Sequence, residues 1–128
     1  MRTVRTGFWL LVLAASLAAC RSKGSAASVA PDPNAPVAVE VESHFHGDVV
    51  IYLVQGSQRQ RLGTVTALSR AEFSFPYGRL SMSGTTRLMA YPIAGAQAHF
   101  SEPLLVQPGQ WVSWTLESDL DRSSLAVY

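Results

Sequence analysis

The side chains in this chain whose chemistry could reach beyond packing begin with a short histidine run. His44 and His46 stand two apart and are followed by Asp48, and on a strand residues two apart project to one side. Two imidazoles on one face could begin a site for a divalent metal, with His99 as a third nitrogen. A plainer reading makes His46-Gly47-Asp48 a turn and His44 an exposed neighbour. The plainer reading is the better supported, because no spacing matches a metal signature such as HExxH and nothing local places His99 near the pair. No cofactor is therefore expected, and a small metal-binding protein using His44 and His46 stands as the alternative.

A second group is Arg59 and Arg61 with Tyr52. Guanidinium forks bind carboxylates in two-pronged fashion, and an aromatic face can stack on a sugar or a cation. The same residues also read as an exposed cross-strand set that keeps a sheet surface soluble. Trp111 alternates away from Val112 and Trp114, so it is expected to be partly exposed, and beside Tyr52 it would complete a recognition patch. Nucleophilic serine chemistry lacks a scaffold. There is no Gly-x-Ser-x-Gly elbow, and the only lysine is Lys23, so a Ser-x-x-Lys pair cannot form. The carboxylates are spread over alternating polar positions and turns rather than paired for acid–base work, and no catalytic residue is assigned.

The elements that must hold these groups read as strands. From Val37 onward apolar residues alternate with polar ones: the valines of Val37-Ala38-Val39-Glu40-Val41-Glu42 take one face and the glutamates the other, as in a sheet with one side on a core and one in water. That period puts His44 and His46 on the glutamate face. Residues 48–55 are apolar on both faces, which suggests a central strand. Gln55-Gly56-Ser57-Gln58 predicts a two-residue type II′ hairpin turn, with glycine supplying the positive φ. Its register sets Val54 opposite Arg59, Tyr52 opposite Arg61 and Ile51 opposite Leu62, with Ile51, Leu53 and Leu62 facing the core. Further strands are expected at 71–75, 87–93, 100–106, 111–117 and 124–128, the fourth entered through a type II turn at Gln107-Pro108-Gly109-Gln110.

About seven short strands joined by tight turns predict an all-β fold, a small antiparallel two-sheet sandwich spanning residues 36–128. The strand, Pro-Gly turn and strand at residues 104–116 are similar to the late strands of immunoglobulin-like and transthyretin-like modules. That resemblance implies an architecture only.

Charge and length narrow the function classes. The 128-residue chain has 10 basic and 9 acidic side chains; without residues 1–19, which carry Arg2 and Arg5, the balance is 8 against 9. A near-neutral domain lacks the basic excess that drives nucleic-acid binding or a polybasic hold on anionic lipid. A domain this small also has little stability to spare for a deep catalytic cleft.

The first twenty residues carry an address. Arg2 and Arg5 precede an apolar run from Gly7 to Ala19, shorter than the roughly 20 residues a membrane-spanning helix needs, so it reads as a signal peptide. It ends in Leu17-Ala18-Ala19-Cys20, which resembles the lipobox of bacterial lipoproteins. The resemblance implies cleavage between Ala19 and Cys20 and lipid attachment to the Cys20 thiol, with the lipid bilayer as the first partner. Two or three acyl chains, at ~0.8 kcal/mol per buried methylene, make a lasting anchor. Cys20 is the single cysteine of the chain, and an exported protein with a lone free thiol would carry a liability. Arg21, rather than aspartate, follows the cysteine, which in that class implies the outer membrane, facing the periplasm, where two membranes exist. Residues 20–35 then form a flexible stalk, too polar and proline-rich to order, with a reach of about 20 Å. The expected role is a non-enzymatic envelope module that binds a protein or glycan. Mass spectrometry of the processed protein should find Cys20 as the first residue with acyl groups attached; a free thiol or a different start would remove the anchor.

Overall fold

The computed structural model describes residues 32–80, 85–95 and 97–128; Ala19, Cys20 and most of the expected stalk lie outside them. Eight strands follow in order: β1 (Pro36–Ser43), β2 (Val49–Gln55), β3 (Gln58–Val65), β4 (Arg70–Pro76), β5 (Thr86–Pro92), β6 (His99–Phe100), β7 (Val112–Leu116) and β8 (Ser124–Val127). They form two four-stranded sheets, one in the order β4-β1-β7-β8 and the other β3-β2-β5-β6. The fold is the all-β two-sheet sandwich that the alternating pattern predicts.

The core lies between the sheets and is made by period two. Val37, Val39 and Val41 of β1 and Val112, Trp114 and Leu116 of β7 come from the first sheet. Val49, Ile51 and Leu53 of β2 and Leu88 and Ala90 of β5 come from the second. Trp114 is the largest fully buried side chain. Three polar residues are buried beside these, and all have partners: the Ser43 hydroxyl accepts the Phe45 N–H at 3.3 Å, the Ser101 hydroxyl accepts the Leu88 N–H at 2.9 Å, and the Thr86 hydroxyl donates to the Arg79 carbonyl at 3.5 Å.

Three local expectations need correction. The sandwich is antiparallel except at β1 and β7, which run parallel with Val39 opposite Val112 and Ser43 opposite Leu116. A parallel pair needs a long crossover, and the excursion of the chain through the five intervening strands supplies it. The strand expected over 100–106 shrinks to His99–Phe100. There the Ser101 side chain takes the Leu88 N–H that a backbone carbonyl would accept in a regular ladder, and Pro103, which has no N–H, is skipped so that Leu104 donates to the Thr86 carbonyl at 2.8 Å. The third correction is in the first hairpin.

That hairpin follows the expected register through Gln55–Gln58, Val54–Arg59 and Tyr52–Arg61, then shifts by one residue so that Ile51 faces Gly63 rather than Leu62. Gly56 has φ of +59° while Ser57 keeps a negative φ, as a type II′ turn requires. The extra residue is a β-bulge, and Leu62 ends partly buried at the core margin. A Cβ at Gly63 would run into the ring of Phe73 on β4. The glycine therefore lets a ring from the first sheet lie against the backbone of the second where β3 and β4 meet.

The folded region starts slightly before β1. Asp32 accepts the Asn34 N–H on its side chain, and the carbonyls of Pro33 and Ala35 accept the N–H groups of Gly78 and Tyr77 at 2.8 Å each. The turn at Gln107–Gln110 is as expected, with Gly109 at φ +84° and Gln110 N–H donating to the Gln107 carbonyl at 3.1 Å. Overpacking of this kind costs about 1–3 kcal/mol, so Gly63→Ala should destabilise the domain by that order in urea denaturation. In a Phe73→Ala background the same change should cost far less. An equal cost in both would show that the ring is not what requires the glycine.

Candidate binding face

Because each strand gives one face to the core, alternate residues of β2, β3, β5 and β6 make the outer face of the second sheet. Pairing arranges them in rows. One row runs Arg61, Tyr52, Met89 and Phe100 across all four strands. The next, nearer the hairpin turn, sets Arg59, Val54 and Arg87 side by side, and the row on the other side holds Thr64, Val50 and Tyr91. Phe100 is 47% exposed and Tyr91 41%. Met89, by contrast, is only 3% exposed and does not belong to the core between the sheets. Its cover must come from the side chains that the register sets around it, so this face holds a small apolar centre of its own. Arg59, Arg61 and Arg87 are exposed, and among the described residues none of them has a carboxylate within ion-pair distance. Arg61 donates to the Thr64 hydroxyl at 2.8 Å. Val54, Gly56, Thr85, Arg87 and Phe100 line a cavity of about 320 Å³ on this face.

The outer face of the first sheet is built from other residues. Ala38, Glu40 and Glu42 of β1 stand opposite Ser74, Glu72 and Arg70 of β4. Ser113 and Thr115 of β7 stand opposite Ala126 and Ser124 of β8. Buried centres of protein interfaces are enriched in Tyr, Phe, Met and Arg and depleted of Glu, Ser and Ala. The second sheet presents the first set in its rows, and the first sheet presents mainly the second, with Trp111 and Tyr128 stacked at one end and Arg70 among its glutamates.

Tyr52, Arg59 and Arg61 are thus brought together as their spacing predicts. Trp111 is not beside them. It lies at the first sheet, exchanges two backbone hydrogen bonds of 3.0 Å with Tyr128 and stacks on that ring at 4.8 Å, beside a recess shared with Ala38, Glu40 and Glu72. The two aromatics sit on different sheets because Trp111 precedes β7, which pairs with β1 and not with β2. Sequence reasoning missed Arg87, Met89, Tyr91 and Phe100. Their own alternation groups the first three on one face, but only the long-range pairing of β5 with β2 sets that face beside Tyr52.

The histidines are dispersed into separate roles. His44 sits on the glutamate face as its period predicts, with Nε2 at 3.3 Å from Glu42 and Nδ1 at 3.2 Å from Glu117. His46 is exposed in a bend. His99 stacks on Trp114 at 6.3 Å and faces Asp121 at 3.4 Å. Asp48 accepts the Ala67 N–H at 2.9 Å and so ties two loops together. Among the described residues no three His, Cys, Asp or Glu side chains are grouped to hold a metal ion.

The charged cluster around His44 has a pH signature. Arg70 donates to Glu42 at 2.9 Å and lies 3.5 Å from Glu40. Hydrogen bonds to Glu117 and then Glu42 hold His44 above the ordinary histidine value of 6.5. Hydrogen bonds from His44 and then Arg70 hold Glu42 below 4.5. A histidine raised in the folded state contributes fully below 6.5 and loses its contribution as pH climbs through its raised value; the lowered glutamate contributes above 4.5 and loses it as pH falls. The loss of Tm on His44→Ala should therefore be largest between pH 4.5 and 6.5 and shrink on the alkaline side. Proton NMR should show the His44 ring titrating above 6.5 and moving down in Glu117→Gln. A flat Tm difference across pH would remove the ion pairs from the account of stability.

No protein-family model matches the chain, and no curated protein sequence matches it. Among solved structures it is similar to a protein from Eubacterium rectale determined by NMR, at 15% sequence identity and a TM-score of 0.44, over 78% of this chain and 93% of that one.

Proposed function

We propose that this chain is a lipid-anchored envelope lipoprotein whose β-sandwich is a recognition module, binding rather than catalytic, and that it binds through the outer face of the second sheet. The anchor is the acylated Cys20, reached after cleavage behind Ala19, and Arg21 favours the outer membrane with the domain facing the periplasm. The observation that carries the binding role is the contrast between the two outer faces. Tyr52, Met89, Tyr91, Phe100 and three arginines crowd the rows of one sheet, while glutamates, serines and alanines make most of the other, whose exposed aromatics, Trp111 and Tyr128, are stacked on each other at one end. An outward apolar centre flanked by arginines that no carboxylate among the described residues pairs with costs solubility, and such patches are retained on soluble domains as contact sites.

The test uses the fact that the chain has one cysteine, which the anchor consumes. Single cysteines are introduced as Tyr91→Cys, Phe100→Cys and, on the opposite sheet, Ser74→Cys, and maleimide labelling is compared between intact envelopes and detergent-purified protein. The expected result is protection of positions 91 and 100 in the envelope with position 74 open in both states. Equal labelling of all three in the envelope would overturn the assignment of the face.

A further inference from the structure

Resting on the reading of the second sheet as the binding face, we infer that its partner is an acidic polysaccharide, held by a carboxylate-bearing sugar unit in the cavity between Arg87 and Phe100. Three features of the face select that chemistry.

The first is charge. Arg59 and Arg87 flank Val54 in one row and Arg61 ends the next, with no carboxylate of the chain in ion-pair range among the described residues. Elsewhere Arg70 pairs with Glu40 and Glu42 and Arg122 lies 3.6 Å from Asp119. Of the four described arginines without an ion pair, three stand on this face and the fourth, Arg79, lies in the turn after β4; a guanidinium fork is best matched by carboxylate.

The second is the balance of donors and acceptors. Five-donor guanidiniums dominate the polar groups of these rows; the nearest carboxylate by register is Glu102, which the bond from the Ser101 N–H to the Leu88 carbonyl sets beside Arg87 but beyond ion-pair distance. A peptide backbone brings one donor for every acceptor, and laid on this face it would meet many guanidinium donors and, for its N–H groups, only the few hydroxyls of Tyr52, Thr64, Thr85 and Tyr91. A polymer whose strongest polar groups are acceptors does not meet that penalty.

The third is shape. The cavity of about 320 Å³ is at the small end of the roughly 300–1,000 Å³ range of ligand sites. It combines the cation of Arg87, the exposed ring of Phe100, the apolar floor of Val54 and the hydroxyl of Thr85. A sugar acid has the same combination in complement: a carboxylate for the fork, a C–H face for the ring, and hydroxyls for the rim. Tyr52 and Tyr91, in the neighbouring rows, extend the aromatic surface along the sheet, as a chain of sugar units rather than a single ligand would use.

The experiment uses the full chain in neutral detergent, with oligogalacturonate as the probe and calorimetry or fluorescence as the readout. Saturable binding that weakens with added salt is expected. Arg87→Ala and Phe100→Ala should each weaken it at least tenfold, and Arg87→Lys, which keeps the charge but loses the fork, should weaken it measurably. Arg122→Ala, on an arginine away from this face, should leave it unchanged. Both principal sites are exposed, and an unchanged thermal melt for each variant confirms that the fold is intact. Neutral oligosaccharide should not compete. Poly-L-glutamate or phosphatidylglycerol vesicles binding as tightly as the uronate oligomer would overturn the proposal in favour of an acidic protein or a lipid surface. So would binding indifferent to Arg87 and Phe100, or no binding at all. Should the uronate fail while positions 91 and 100 are protected in the envelope, the sugar assignment falls alone; should the protection be missing as well, the binding face falls with it.

Discussion

Everything in this domain depends on two sheets sharing one apolar layer. Trp114, Leu116 and the valines of β1 and β7 from one side, and Ile51, Leu53, Leu88 and Ala90 from the other, are buried together, and each strand must spend alternate residues on that layer. A chain this short has no second core to draw on. What remains for recognition is the set of alternate positions turned away from the layer, together with the loops at the two ends. The shared layer therefore limits where function can reside before any functional residue is considered.

The two sets of outward positions have been filled differently, and the register explains why that matters. Outward residues on neighbouring strands lie about 5 Å apart, so the type chosen at one position meets its neighbours directly. On the first sheet most charges are paired: Arg70 answers Glu40 and Glu42, and His44 ties Glu42 to Glu117, leaving Glu72 among the acids there without an ion pair. On the second they accumulate, with Arg59, Arg61 and Arg87 left facing aromatic and aliphatic neighbours. The first sheet thus spends its charges mostly on one another, while the second leaves its arginines free to meet a partner outside the chain.

Local pattern carried much of this into the sequence. The alternation Val37-Val39-Val41 names a face and its opposite without reference to any partner strand, and the Gly56-Ser57 turn fixes its own hairpin well enough to bring Tyr52 to Arg61. The features that were not legible are those decided by chain segments far apart. The glycine at position 63, beside the bulge, answers to the Phe73 ring, which arrives from another strand. The shortening of β6 follows from a serine hydroxyl replacing a carbonyl. The partner of His44 is a glutamate 73 residues later. Trp111 could be read as exposed from its alternation, but whether it joined Tyr52 depended on which sheet took β7, and no spacing encodes that.

A shallow face on a small domain implies weak single contacts, and the proposed anchor changes what weak contacts can accomplish. An open cavity of a few hundred Å³ and a handful of arginines do not bury a ligand deeply, so one sugar unit in one site would dissociate readily. On the proposed reading, many copies are confined to one bilayer, and a polymer that meets one copy is held near the others at high effective concentration. Strength then comes from number rather than from depth. The stalk would have to be short enough to keep the faces crowded at the surface and loose enough to let each one turn toward the strand, and a short, mostly small and polar sequence between Cys20 and Asp32, ahead of the residues tied to Tyr77 and Gly78, suits both demands.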